Sequence, residues 1–271
     1  MEQFRMSIGR WILPALALVV CAGCADQNRG KIDRAVSDYG VGNYAHAQQV
    51  LAPLAEKTDE NFVLNNCRLG SAALARYDLD TAEKAFLNAY EVINSVGVND
   101  GGRGLGAVVV TESIKVWKGE PFERAMANFY LGVVYYMKHD YGNARAAFEN
   151  ALFKLRDYGS GKETEERYEE VENNFPLGLI MLGKCWQRLG RDDLAKQFFD
   201  RVSKTSPQLG DIVDLGRNAQ SNVLLLVDFG YGPQKIRTSD GDIVGFGPLP
   251  GEAGPVPPPV VMVDGRPIRL D

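Results

Sequence analysis

Four acidic side chains stand close enough in sequence to act in pairs: Asp78 with Asp80, and Glu120 with Glu123. Paired carboxylates can cleave a polymer by general acid–base chemistry, one group giving a proton while the other activates water. That makes a cell-wall hydrolase or lyase the enzyme reading to weigh. Both pairs also sit at turns and helix starts, where an acid favours the helix dipole. No set of nucleophile, base and orienter accompanies them. The chain holds two histidines, His46 and His139, too few and too isolated for the usual zinc or triad arrangements. The stretch GGRGLGA superficially fits a dinucleotide fingerprint, but a helix precedes it where that motif needs a strand. Gly159-Ser160-Gly161-Lys162 lacks the upstream glycine of a phosphate loop, and Glu163 replaces its Ser/Thr. No cofactor, nucleotide or metal is therefore expected, and an enzyme is not the leading expectation.

The remaining reactive groups are thiols. Arg5 and Arg10 lead an apolar run over residues 11–23 that ends in Cys21-Ala22-Gly23-Cys24. Thirteen residues are too few for a membrane-spanning helix, which needs about 20. A short apolar run behind a basic lead reads as a secretory signal. Its ending resembles the bacterial lipobox, which implies diacylglyceryl transfer to Cys24, cleavage before it and a lipid anchor in a membrane. Cys21 is a competing site, and Ala22-Gly23 before Cys24 fits the motif better. Residues 1–23 are the expected signal peptide and 24–30 a tether. Removing the signal moves the formal charge from −5 to −6, since it carries two arginines and one glutamate. An acidic chain does not suit nucleic acid or an anionic membrane surface. Ala25 after the cysteine points to the periplasmic face of the outer membrane. Cys67 and Cys185 could pair in an oxidising compartment. They fall in separate helical stretches, so two buried thiols are expected.

The elements that must position these groups repeat. Gly70, Gly132 and Gly183 each follow a leucine, and each is followed 12 residues later by alanine: Ala82, Ala144 and Ala195. Four further on stand Phe86, Phe148 and Phe199. Ala35 and Ala47, with Leu51, form a degenerate first unit. The spacings resemble the tetratricopeptide repeat (TPR), a pair of antiparallel helices per unit. The expected fold is mainly α, a TPR-like helical-repeat superhelix over residues 31–218, with small residues at helix crossings. Successive steps of 35, 62 and 51 residues place insertions near 93–121 and 157–174. The second is acidic and reads as a solvated extension.

The repeat register assigns an apolar stripe to the concave face: Leu64, Cys67 and Leu74, then Met126, Phe129, Val133, Tyr136 and Met137, then Leu177 and Ile180. Lys184 and Arg188 turn it polar at the far side. Such a stripe exceeds what a soluble protein leaves bare. Either a partner peptide covers it or residues 105–117, LGAVVVTESIKVW, do; self-coverage is the favoured expectation.

Trp117, Gly119, Glu123 and Arg124 at the entry to a long helix, with Gly230, Pro233 and Lys235 after a strand-like run, resemble a family of bacterial lipoproteins with TPR-like helices. The resemblance implies an envelope role beside outer-membrane or cell-wall machinery and a β-rich element at the C-terminal end. The tail over 219–271 is rich in Pro and Gly. Residues 222–229 read as a strand, and hairpins are expected around Ser239-Asp240-Gly241 and Asp264-Gly265. The function expected is a tethered protein–protein interaction scaffold with another envelope protein or peptide as partner.

Overall fold

The structure, a computed structural model, describes residues 28–94, 118–155, 175–218, 225–227, 234–237, 243–247 and 260–268. Two compact units divide the chain, Met1–Ala219 and Gln220–Asp271. In the first, helices come in consecutive hairpins: α1 (Arg29–Gly40) with α2 (Tyr44–Ala55), α3 (Phe62–Ala75) with α4 (Leu79–Asn94), α5 (Pro121–Met137) with α6 (Tyr141–Lys154), and α7 (Pro176–Arg188) with α8 (Asp192–Thr205). A 3₁₀ turn at Pro207–Leu209 leads into the short α9 (Gly210–Arg217). Each second helix also packs on the first helix of the next hairpin, and α3 touches α5 directly, so the first helices share a layer.

All four hairpins turn in the same way. Seven residues after each register position the backbone enters the left-handed region, at Gly42 (φ 81°), Tyr77 (63°), His139 (63°) and Gly190 (72°). The next amide then bonds back five residues: Asn43 to Asp38 O, Asp78 to Ala73 O, Asp140 to Tyr135 O and Arg191 to Trp186 O, all at 2.8–2.9 Å. This closes the first helix by satisfying a carbonyl that its own ladder leaves free. The residue that donates this bond then starts the second helix. Asp78 and Asp140 do so with side chains that accept from Thr81 N (3.2 Å) and Asn143 N (3.1 Å).

Within a hairpin the helices meet at a glycine, and the atoms nearest to it belong to an aromatic ring. A Cβ placed on Gly70, Gly132 or Gly183 would lie 2.9, 2.7 and 2.6 Å from the rings of Phe86, Phe148 and Phe199. The glycine is the seat for the aromatic ring. Ala82, Ala144 and Ala195 are buried one turn earlier, where they let the backbones close. In the first unit Ala35 and Leu51 replace the glycine and ring, and both are buried in a core shared with Leu69, Ala72 and Ala85 of the second unit.

The sequence reading does not separate α9 from the array. Only Val213 of this helix is buried, so it carries no period to read. It packs on α7 and α8. Its C-terminal carbonyls are capped from α7: Lys184 Nζ donates to Gly216 O at 3.0 Å and Gln187 Nε2 to Arg217 O at 2.9 Å. The two insertions lie outside the described residues over 95–117 and 156–174.

In the second unit β1 (Gln234–Arg237) pairs antiparallel with β2 (Ile243–Gly247), with a bulge between Ile236 and Arg237. The strands β3 (Val261–Val263) and β4 (Arg266–Ile268) pair through Asp264-Gly265. Both turn residues have positive φ, 49° and 74°, as a two-residue turn that follows strand twist requires. Residues 225–227, the described part of the run read as a strand over 222–229, make no strand pairing.

Candidate functional site

The residues named for the concave stripe separate into three groups. Leu64 and Cys67 of α3 and Met126 of α5 are half-buried and line one cavity of about 270 Å³ between these helices. Ser71, Tyr130, Lys118, Gly119, Phe122 and Glu123 complete much of its wall, with Val63, Phe86, Ile93 and Ala127 behind them. Leu74, Tyr136, Met137 and Leu177 are half-buried elsewhere on the array, Leu74 against the core that joins α3 to α6. Phe129, Val133 and Ile180 are buried. The Phe129 ring packs on Phe148 and Phe175 at 5.3 and 5.2 Å and so ties the third unit to the fourth.

The polar end of the stripe does different work from residue to residue. Lys184 is only 5% exposed, and its ammonium is committed to the C-terminus of α9. Burial, reinforced by the neighbouring Arg188, pulls its pKa down. Arg188 is exposed and hydrogen-bonds the Tyr136 hydroxyl, which raises the guanidinium's pKa. Tyr136 and Arg188 thus bridge the third and fourth units.

Of the residues carrying the lipoprotein resemblance, Gly119 has φ 82° and lets the chain turn along the cavity wall into α5. Glu123 closes a reciprocal capping box with Glu120, accepting from Glu120 N at 2.7 Å. Arg124 lies one turn before Asn128, whose Nδ2 donates to Arg124 O at 2.7 Å. The Arg124 Nε is buried with no acceptor among the described residues. Lys235 stands opposite Phe246 across β1 and β2. Trp117, Gly230 and Pro233, and the lipidation candidate Cys24, lie outside the described residues.

The paired carboxylates are engaged structurally. Asp78 caps α4 and accepts from Gln48 Nε2 of α2 at 2.7 Å. Asp80 and Glu83 both meet Lys138 at the end of α5. Hydrogen bonds, first that of Gln48 and then those of Thr81, hold the Asp78 pKa below its ordinary value against burial. A depressed carboxylate contributes stability above its unfolded pKa, about 3.9, and loses it as pH falls through the lower folded value. Asp78→Ala should cost about 1 kcal/mol at pH 7. Its deficit relative to wild type should shrink below pH 4, as read by melting curves across pH. A deficit that does not shrink with acid would remove the charged cap from the account.

Among the described residues no group of His, Cys, Asp and Glu is placed to hold a metal, and no helix is long and apolar enough to cross a membrane. Cys67 and Cys185 are free thiols on separate helices, and burial pushes each up to about 12. Since the thiolate is the nucleophile, alkylation at pH 8 should run about a thousand-fold slower than for an exposed cysteine. Peptide-resolved mass spectrometry checks this for each site. A rate within tenfold of free cysteine at Cys185 would contradict its burial.

Ser71 and Tyr130 are among the wall residues that sequence reasoning passed over, with Lys118, Phe122, Val63, Ile93 and Ala127. Ser71 occupies the register position of Val133 and Lys184, one after the glycine, so the signal was available but masked by its polarity. Tyr130 precedes its glycine by two, a position the stripe did not include.

The repeated hairpin, with its shared turn and its glycine seat for an aromatic ring, defines a TPR-like helical-repeat protein. No family model matches the chain, and no curated protein matches it. Among solved structures it is similar to the TPR-like repeats of a Podosopora anserina protein described as a putative kinesin light chain. There the TM-score is 0.42 and the identity 11%, over 72% of this chain and 95% of that one. A thermophilic TPR protein of Thermus thermophilus aligns at TM-score 0.30 and 13% identity, over 71% and 98%. The class rests on the repeat geometry of this chain itself.

Proposed function

We propose that the protein is a lipid-tethered interaction scaffold of the bacterial cell envelope. Its first-helix layer would hold another envelope protein or peptide. The observation that carries this reading is the cavity between α3 and α5. Leu64 and Met126, each six residues before its helix glycine, line it at equivalent places in two successive units, with Cys67 beside them, and stacked helical repeats use such an inner surface for binding. The tether rests on Cys24, which would carry the lipid after cleavage of residues 1–23 and fix the protein to the periplasmic face of the outer membrane. Two or more acyl chains hold stably where one binds marginally. The wall-cleaving alternative draws no support from its carboxylates, which serve as caps and ion-pair partners.

A photo-crosslinker at position 126 in cells should give one discrete adduct, and the same group at exposed Lys84 on α4 should give none. Equal, diffuse labelling from both positions would sink the scaffold reading. Metabolic labelling with an alkyne fatty acid should mark the wild type and not Cys24→Ser. Unchanged labelling of the variant would remove the tether.

A further inference from the structure

We propose that the end of the array where α5 begins and α6 finishes is a lipid-facing surface, which lies on an anionic bilayer through Phe122 and Phe153 and the cations Lys118, Arg124 and Lys154. The inference rests on the lipid tether of the preceding reading and is independent of the protein partner.

The first observation is which helix ends come together. Lys57, just past α2, donates from Nζ to Asn28 Oδ1 at 3.2 Å, so α1 starts where α2 finishes. Asn66 Nδ2, early in α3, donates to Ala55 O at the end of α2 at 2.9 Å. One cavity gathers Leu64 from the start of α3, Ile93 from the end of α4, and Lys118 and Phe122 from the entry to α5. These helix ends share one end of the array. The hairpin turns lie at the other, about 18 Å away along the 12 residues of α1. From Cys24 to Asn28 the chain spans at most ~14 Å. A lipid on Cys24 would therefore bring this end, rather than the turns, to the bilayer.

The second is composition. Phe122 and Phe153 are 42% and 46% exposed, whereas Phe62, Phe86, Phe129, Phe148 and Phe199 are all buried. The antiparallel hairpin places the start of α5 beside the end of α6, so Lys118, Phe122 and Arg124 meet Phe153 and Lys154 at one end. Lys154 Nζ lies 5.8 Å from the Phe153 ring centroid. Rings set among basic side chains are the pattern of protein surfaces that sit in the lipid interface.

The third is charge. Neither Arg124 nor Lys154 forms an ion pair among the described residues, and the buried Arg124 Nε has no acceptor there. Burial first, and then repulsion from Arg124 and Lys118, lowers the Lys154 pKa. The acids of this turn, Glu120 and Glu123, serve backbone amides in the capping box. A lipid phosphate would relieve the repulsion among the three cations. The chain as a whole is acidic, at −5. Screening confines surface attraction to about 10 Å, so the local charge decides.

Phe122 also lines the cavity, so Phe153 carries the test. The tethered full-length protein receives a benzophenone side chain at position 153, or at exposed position 77 on a hairpin turn, and is irradiated in cells. Mass spectrometry should find phospholipid adducts at 153 and not at 77. In vesicles containing phosphatidylglycerol, Lys118→Gln and Lys154→Gln should each lower the yield at 153 about fivefold. Vesicles of phosphatidylcholine alone should lower it further. Yields that ignore both the cations and the lipid charge overturn the proposal. A protein adduct at 153 in place of lipid would assign the surface to a partner and overturn it as well. Lipid adducts missing at 153 while the alkyne fatty acid still marks Cys24 overturn the surface and leave the tether standing. Where the label is missing too, the tether fails, and the purified chain is mixed with phosphatidylglycerol vesicles. Lipid adducts at 153 then still support the surface, and their absence overturns it.

Discussion

Gly183→Ala should destabilise the protein by about 1–3 kcal/mol, and Gly183→Leu by more. The sign is the informative part. In an unconstrained helix interior, replacing glycine by alanine gains roughly 0.5–1 kcal/mol, because alanine has less chain entropy to lose. Here the new methyl would sit 2.6 Å from Phe199 Cζ, well inside contact distance. The ring has nowhere to go. It is 1% exposed, and Gly216 of α9 approaches it closely enough that a Cβ there would stand 3.3 Å away. Gly132 should respond similarly against Phe148 (2.7 Å) and Gly70 slightly less against Phe86 (2.9 Å). Gly210→Ala is the control, since no atom lies within 4 Å of the added carbon. Urea unfolding gives the comparison. The ring contact also predicts coupling: Gly183→Ala made in a Phe199→Leu background should cost less than in wild type. Additive effects within about 0.5 kcal/mol would deny that the two residues meet, and a loss at Gly183 no greater than at Gly210 would remove the register itself.

The repeat was legible because glycine, alanine and phenylalanine recur at fixed spacings, and those spacings are set by where two helices cross. What the spacing did not say is which of the later residues meets the glycine. Alanine and phenylalanine lie four apart on one helix face, and only the depth of the crossing decides that the ring takes the glycine seat. The turns carried a weaker signal, because Tyr77 and His139 disguise the left-handed position that Gly42 and Gly190 advertise. The stripe was legible as a register and not as a surface. Phe129 and Ile180 share their position with Cys67, but neighbouring units cover them while Cys67 stays half-buried. Lys184 reads as a charged rim residue, and its burial depends on α9, which carries too little pattern to anticipate. Burial by a neighbour is a tertiary fact, and one unit's sequence does not contain it.

The same gap between register and environment yields the second large effect: Asn66→Leu should cost about 2–3 kcal/mol, whereas Asn128→Leu should fall within about 1 kcal/mol of wild type. In sequence the two asparagines are equivalent. Each stands four residues before its helix glycine, and each is followed 22 residues later by another asparagine, Asn88 or Asn150. Both are buried, at 1% exposure. Their partners differ. Asn66 Nδ2 donates to Ala55 O and Phe62 O, both at 2.9 Å, and Asn66 Oδ1 accepts from Asn88 at 3.1 Å. Ala55 ends α2, so its carbonyl lies beyond that helix's own ladder. Leucine would leave this buried acceptor unsatisfied, the costly case for a lost hydrogen bond. Asn150 instead turns to the Tyr90 hydroxyl at 3.0 Å, and Asn128 Oδ1 has no partner among the described residues. Among the described residues the Asn128 amide donates to Arg124 O in its own helix and to no other group. Leucine there removes an orphaned acceptor and keeps the volume, which offsets the one local bond lost. Urea unfolding of the two variants, with slopes compared to confirm a common unfolded state, separates the cases. Equal losses at the two sites would mean that Asn128 is as fully bonded as Asn66, and that the third unit repeats the second in chemistry as well as in spacing.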